Sequence, residues 1–151
     1  MRSWRVKRFG EPREVVELDE NFADFEPGAG QVKLEVEAAG LGLPDVLMCQ
    51  NNYPLVPPLP FTPSQEACGK VVAVGAGVDP ALMGQRVMGP TLFQQQHGGL
   101  AEYCLMAEAM ALPVPDGMSG VEAAGFFIPY LTAWIGFMVG RRTRASRRNN
   151  G

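Results

Sequence analysis

Few side chains in this 151-residue chain belong to types that carry chemistry, and their spacing decides what they could do. Cys49, Cys68 and Cys104 are unevenly spaced and form no C-x-x-C pair. That pattern predicts buried thiols in a reducing, cytoplasmic compartment, not a disulfide framework or a zinc knuckle. The single histidine, His97, follows three glutamines and precedes two glycines. A polar run of this kind predicts a solvated loop residue, not a ligand or general base. Residues 75–80, GAGVDP, begin like the glycine loop that cradles a dinucleotide. That fingerprint needs a third glycine at its sixth place, opening a helix. Position 80 is proline, so the segment reads as a turn that ends a strand. Asp45 stands where it can cap a short helix over residues 44–49, and Tyr53 sits beside Pro54.

Residues 141–151, RRTRASRRNNG, carry five arginines and no acid. The first 140 residues therefore hold 8 basic and 16 acidic groups, a net of −8. Such a body does not bind nucleic acid through its overall field. The tail has no apolar periodicity and is expected to be disordered. It reads as the relic of an early stop or a frameshift; the competing reading is a basic arm for nucleic acid or an acidic membrane. Five arginines without an aromatic or a fold behind them favour the relic. The N-terminus turns acidic within a dozen residues and lacks an apolar core, so no signal peptide is expected.

Positioning these residues requires a scaffold, and its elements are legible. With 46% apolar and 19% charged residues, the composition is that of a soluble globular chain. Residues 31–39 alternate Val32, Leu34, Val36 and Ala38 with Lys33, Glu35 and Glu37, a strand with one wet face. Further strands are predicted at residues 3–9, 15–18, 67–74, 86–88, 101–106 and 111–114. Short strands between Gly and Pro turns indicate a barrel or sandwich and not βαβ units. At Ser119 the character changes. Ser119 and Glu122 have capping-box spacing, and the apolar run 121–139 predicts one helix, or two broken at Pro129. That run is near the minimum length for a membrane span, but Glu122 and Pro129 argue against one.

Four segments together resemble the medium-chain dehydrogenase/reductase superfamily. In residues 61–89, Pro63, Glu66, Gly69, Val71, Val74, Gly75, Val78, Gly84 and Val87 fall in the places of its signature. Residues 39–54 are similar to the quinone oxidoreductase type at Gly40, Asp45, Tyr53 and Pro54. They depart from it at Gly42, Cys49 and Asn51, where that type has Asn, Arg and Gly. Residues 98–103, GGLAEY, resemble a further family segment. The last runs from Pro113 through Glu122-Ala123-Ala124 to Leu131-Thr132-Ala133-Trp134.

The resemblance implies a mostly β fold with α: a GroES-like, partly open β-barrel over residues 1–118, then a linking helix over 119–140 and the tail, 141–151. It implies a zinc-independent, NADP(H)-dependent oxidoreductase acting on a small quinone or enone. Zinc-type relatives place Cys and His where this chain has Gly42 and Gln65, neither a usual zinc ligand. By resemblance Asp45 and Thr132 hold the nicotinamide end of the cofactor. Tyr53 lines the substrate pocket and donates to developing oxyanion charge. Phe93 caps the substrate or anchors its own loop. Relatives continue into a glycine-rich nucleotide-binding domain that is not found in this text. The chain is therefore expected to be truncated and inactive alone, or else a non-catalytic module pairing with a separate nucleotide-binding chain. The face of 121–139 is expected to self-associate or meet such a partner, with no nucleic acid and no membrane.

Overall fold

The computed structural model describes the backbone of residues 1–148 and the side chains of residues 1–139. Two antiparallel sheets form its centre. β1 (Ser3–Val6) pairs with β2 (Val16–Asp19), with α1 (Pro12–Val15) in the connection. The larger sheet has the order β6-β3-β4-β5-β7, built from β3 (Gln31–Gly40), β4 (Glu66–Val74), β5 (Arg86–Pro90), β6 (Tyr103–Ala107) and β7 (Leu112–Pro113). The sheets stay open and do not close into a barrel, in keeping with a partly open, mostly β fold. The bridge Ser3↔Ala101 links β1 to the chain just before β6, and Thr91↔Met106 links the end of β5 to β6 within the larger sheet.

Register follows the apolar pattern. β3 sets Val32 against Val74 and Leu34 against Val71, with irregularities at Lys33/Leu34 and Val36/Ala38 that bend the strand. Val32, Leu34, Ala67, Val71, Val87, Cys104 and Met106 make the main core. A second cluster, Val6, Val15, Met48, Cys49 and Phe61, lies under α2 (Leu43–Cys49). In a third, Cys68 and Met88 pack against Ala123 and Ala124 of α3 (Gly120–Ala124). All three cysteines are free and buried.

The turn at residues 75–77 is structural. Gly75 N–H donates to Gln31 O at 2.8 Å and Gly30 N–H to Ala76 O at 2.9 Å. A Cβ at Gly75 would run into the carbonyl oxygen of Gly28, so only glycine lets the two backbones meet.

Four expectations change. The apolar run is two helices, α3 and α4 (Phe127–Arg148), but the break falls at Gly125 and Phe126. Pro129 lies in the first turn of α4, where its missing N–H has no intrahelical partner to lose. The backbone of the arginine-rich segment is helical through Arg148, because Arg and Ala propagate a helix already nucleated upstream; residues 149–151 of the expected disordered tail lie outside the described residues. Lys33 is not on a wet face. Residues 24–25 fold over it: its Nζ donates to Asp24 Oδ1 at 2.6 Å and lies 4.9 Å from the Tyr103 ring centre. His97 is half-buried, its ring 4.3 Å from that of Phe25. Its backbone bridges to Thr62 and Leu92, which draws the loop inward. No helix among the described residues is long and apolar enough to cross a membrane.

Candidate functional site

The N-terminal end of α2 and the first turns of α4 face each other across a cleft of about 430 Å³. Gly40, Gly42, Asp45, Gln65, Glu66 and Thr132 are among its lining residues. Its size is that of a small-ligand pocket. A groove of similar volume lies between Trp4, Leu18 and Ala38. It holds none of Asp45, Tyr53, Phe93 and Thr132, and its Arg2 and Glu102 are paired with each other at 2.9 Å.

Asp45 is buried at the third position of α2. Its Oδ2 accepts from Gly42 N–H at 2.9 Å and its Oδ1 from Ser64 N–H at 2.7 Å. Ser64 is held at φ 81°, in the left-handed region, by bonds on both sides: its Oγ donates to Glu66 O and its carbonyl accepts from Thr91 Oγ, each at 2.8 Å. Asp45 thus fixes both the start of α2 and the approach to β4. Burial pushes its carboxyl above the ordinary range, against the pull of the amide donors.

Glu66 opens β4 and reaches the other wall. Its Oε2 accepts from Ile128 N–H at 2.8 Å, and the neighbouring Phe127 amide also favours the charged form. A carboxylate at a helix N-terminus is favourably placed relative to the helix dipole. Burial nonetheless raises its carboxyl, and the charge of Asp45 raises it further. Gly40 makes the approach possible: a Cβ there would lie 2.7 Å from Glu66 Cγ and would run into Ala124 O.

Gly42 and Gln65, the places the resemblance gives to zinc ligands in zinc-type members, both line the cleft. Glycine has no side chain to act as a ligand, and Gln65 Nε2 is directed to Met48 Sδ at 3.8 Å. Asp45 and Glu66 have their carboxylates engaged by backbone amides.

The alcohol dehydrogenase GroES-like domain model matches residues 28–116. The chain belongs to this family. Quinone oxidoreductase from Rattus norvegicus is 33% identical over 145 residues, covering 96% of this chain and 43% of that protein. Among solved structures, the human synaptic vesicle membrane protein VAT-1 homolog-like protein superposes with TM-score 0.78 at 31% identity, over 89% of this chain and 42% of its own. Escherichia coli quinone oxidoreductase, complexed with NADPH, gives TM-score 0.77 at 28% identity, over 89% and 39%. The chain spans less than half the length of these relatives. The quinone oxidoreductase type of the superfamily is thus the one the motifs pointed to, and the match is to its N-terminal domain.

The four candidate site residues form two pairs, three of them in the GroES-like domain and Thr132 on α4 beyond it. Asp45 and Thr132 line the cleft together. Tyr53 and Phe93, both half-buried, pack against the cluster of Met48, Cys49 and Phe61 and do not line it. Helix α2 joins the pairs, because Asp45 is on the cleft while Met48 and Cys49 carry the cluster. Sequence reasoning placed Glu66 in a signature and gave it no task. The signal was present: an acid beginning a largely apolar strand must find donors once buried.

Proposed function

We propose that this GroES-like domain is the substrate-side part of a zinc-independent, NADP(H)-dependent oxidoreductase that reduces a small quinone or enone. The observation that carries the reading is the cleft, where Thr132 on α4 meets the α2 N-terminus within the folded chain. Its volume suits the nicotinamide end of a dinucleotide and not the whole molecule. When bound, the nicotinamide supplies the hydride. Thr132 and the backbone of residues 41–43 orient that end, and Asp45 holds the loop in place. Family resemblance assigns Tyr53 and Phe93, which pack beyond α2 and outside the cleft, to the substrate side, with the Tyr53 hydroxyl donating to developing oxyanion charge. Conjugate hydride addition needs no strong general base, since water protonates the enolate. The free buried thiols suit a reducing, cytoplasmic setting.

The test uses the chain itself. Reduced nicotinamide mononucleotide at millimolar concentration should shift the amide resonances of Gly42, Leu43 and Thr132, while NADPH binds no more tightly. Unmoved cleft resonances at saturating probe would sink the reading. Micromolar NADPH binding would overturn the view that the adenosine half is held elsewhere.

A second reading, a non-catalytic module that pairs with a nucleotide-binding chain or with itself, is favoured by one observation. Tyr130, Trp134 and Ile135 of α4 are 62%, 61% and 52% exposed. Apolar side chains this large and this close together form a contact surface.

A further inference from the structure

We infer that Glu66 is a positioning residue that pins α4, and so sets how far Thr132 stands from the opposite lip of the cleft. The chain leaves α3 at Gly125, and the helix restarts at Phe127, so α3 does not dictate the direction of α4. From Pro129 to Val139 every residue of α4 is exposed. Among the described residues at the start of α4, Phe126, Phe127 and Ile128 are half-buried against the body. Within that short segment, the Ile128 N–H donates to the Glu66 carboxylate at 2.8 Å and ties the helix start to the sheet. Thr132 lies four residues beyond Ile128, on the same helical face. A small rotation at the pin is thus carried directly into the cleft.

The carboxylate is well suited to the task because its backbone is held in the sheet. It projects from β4, whose first residue pairs with Gly40 and Pro90 on either side. Gly40 lies against its stem. The charged group nearest in effect is Asp45 on α2; the first turn of α4 carries no acid. Glu66 also lines the cleft, but its carboxylate is engaged by the Ile128 amide, and that bond is its route to Thr132. The inference concerns the shape of the cleft; only what the cleft holds rests on the proposed function.

Spin labels at Leu41→Cys and Trp134→Cys, positions 63% and 61% exposed, report the distance across the cleft in the full chain. The native thiols are buried and label poorly. The otherwise unsubstituted chain and Glu66→Gln, which keeps an acceptor, should share one narrow distribution. Glu66→Ala should broaden or shift it by several ångströms while amide exchange of Val32, Leu34 and Val87 in the sheet is unchanged. Equal distributions in all three overturn the inference. If Glu66→Ala also loses sheet protection, the unsubstituted chain decides by NMR. There the Ile128 and Phe127 amide shifts must follow the titration of the Glu66 carboxyl, and amides indifferent to it overturn the inference. Neither readout contains a nucleotide, so a failed nicotinamide titration leaves this result standing.

Discussion

Replacing Gly75 by alanine distinguishes a structural turn from a nucleotide loop. The new Cβ would run into Gly28 O, and would lie 2.6 Å from Gly28 C and 3.0 Å from Pro27 O. These are backbone atoms, so no rotamer relieves the contact and the two segments must separate. Overpacking of this kind costs about 1–3 kcal/mol. Separation also weakens the Gly75–Gln31 and Gly30–Ala76 backbone bonds, each contributing about 1 kcal/mol. The expected loss is about 3–5 kcal/mol, a large share of the roughly 5–15 kcal/mol that holds a domain folded. Gly77→Ala is the control. Its φ is +80° and a Cβ there meets nothing within 4 Å, so only the left-handed backbone is penalised. That costs about 1–2 kcal/mol. Urea unfolding of both variants should show the larger drop in midpoint for Gly75→Ala, with the slope against urea unchanged. The reasoning is refuted if Gly75→Ala is no less stable than Gly77→Ala.

Burial first, and the Arg5 charge second, hold the His97 imidazolium below its ordinary range. The folded state therefore binds fewer protons than the unfolded one, and stability carried above that range is lost as pH falls from it toward the folded value. His97→Gln should flatten the stability profile between about pH 5 and 7, measured by urea unfolding at several pH values; an unchanged slope contradicts the assignment. The Cys104 thiol is pushed up to about 12 by burial, and Cys49 and Cys68 are raised as well. A thiol reagent at mildly alkaline pH should leave the native chain unmodified and react with all three in urea; one fast native thiol would show that burial is misplaced. Tyr130→Ser with Trp134→Ser should reduce both self-association in sedimentation and hydrophobic-dye binding, and a parent chain that is monomeric and binds no dye refutes the contact-surface reading.

The strand positions were readable because period-2 patterns and Gly-Pro turns are local. β3 is found at Gln31–Gly40 where residues 31–39 were expected, and β4 at Glu66–Val74 where 67–74 were. What covers a strand is not local. Lys33 alternates like a solvated residue, yet Asp24 and the Phe25 and Tyr103 rings enclose it. The helix break illustrates the same limit: proline marks a break by its chemistry, but a first-turn proline is tolerated, and Gly125 ends α3 instead. The pairing of Asp45 with Thr132 follows from a resemblance, whereas the separate placement of Tyr53 and Phe93 depends on how α2 packs, which no spacing encodes.

Glu66 and Asp45 show why the cleft has fixed edges. α3 is capped locally: Ser119 and Glu122 exchange bonds at 2.9 and 3.3 Å within one exposed turn, and Glu122 is lowered below the ordinary range by Ser119. That arrangement stabilises a helix and says nothing about where the helix sits. α4 is capped from 62 residues away by a buried acid. Asp45 in α2 reaches 19 residues on to Ser64. Both carboxyls are raised, so their amide donors do not fully offset the cost of burial. A helix that needed only a cap could take an exposed one at lower cost, as α3 does. Long-range caps do what local ones cannot: they fix each helix relative to the sheet. Both walls of the cleft are thereby referred to the same short stretch of chain, Ser64 to Glu66 at the head of β4.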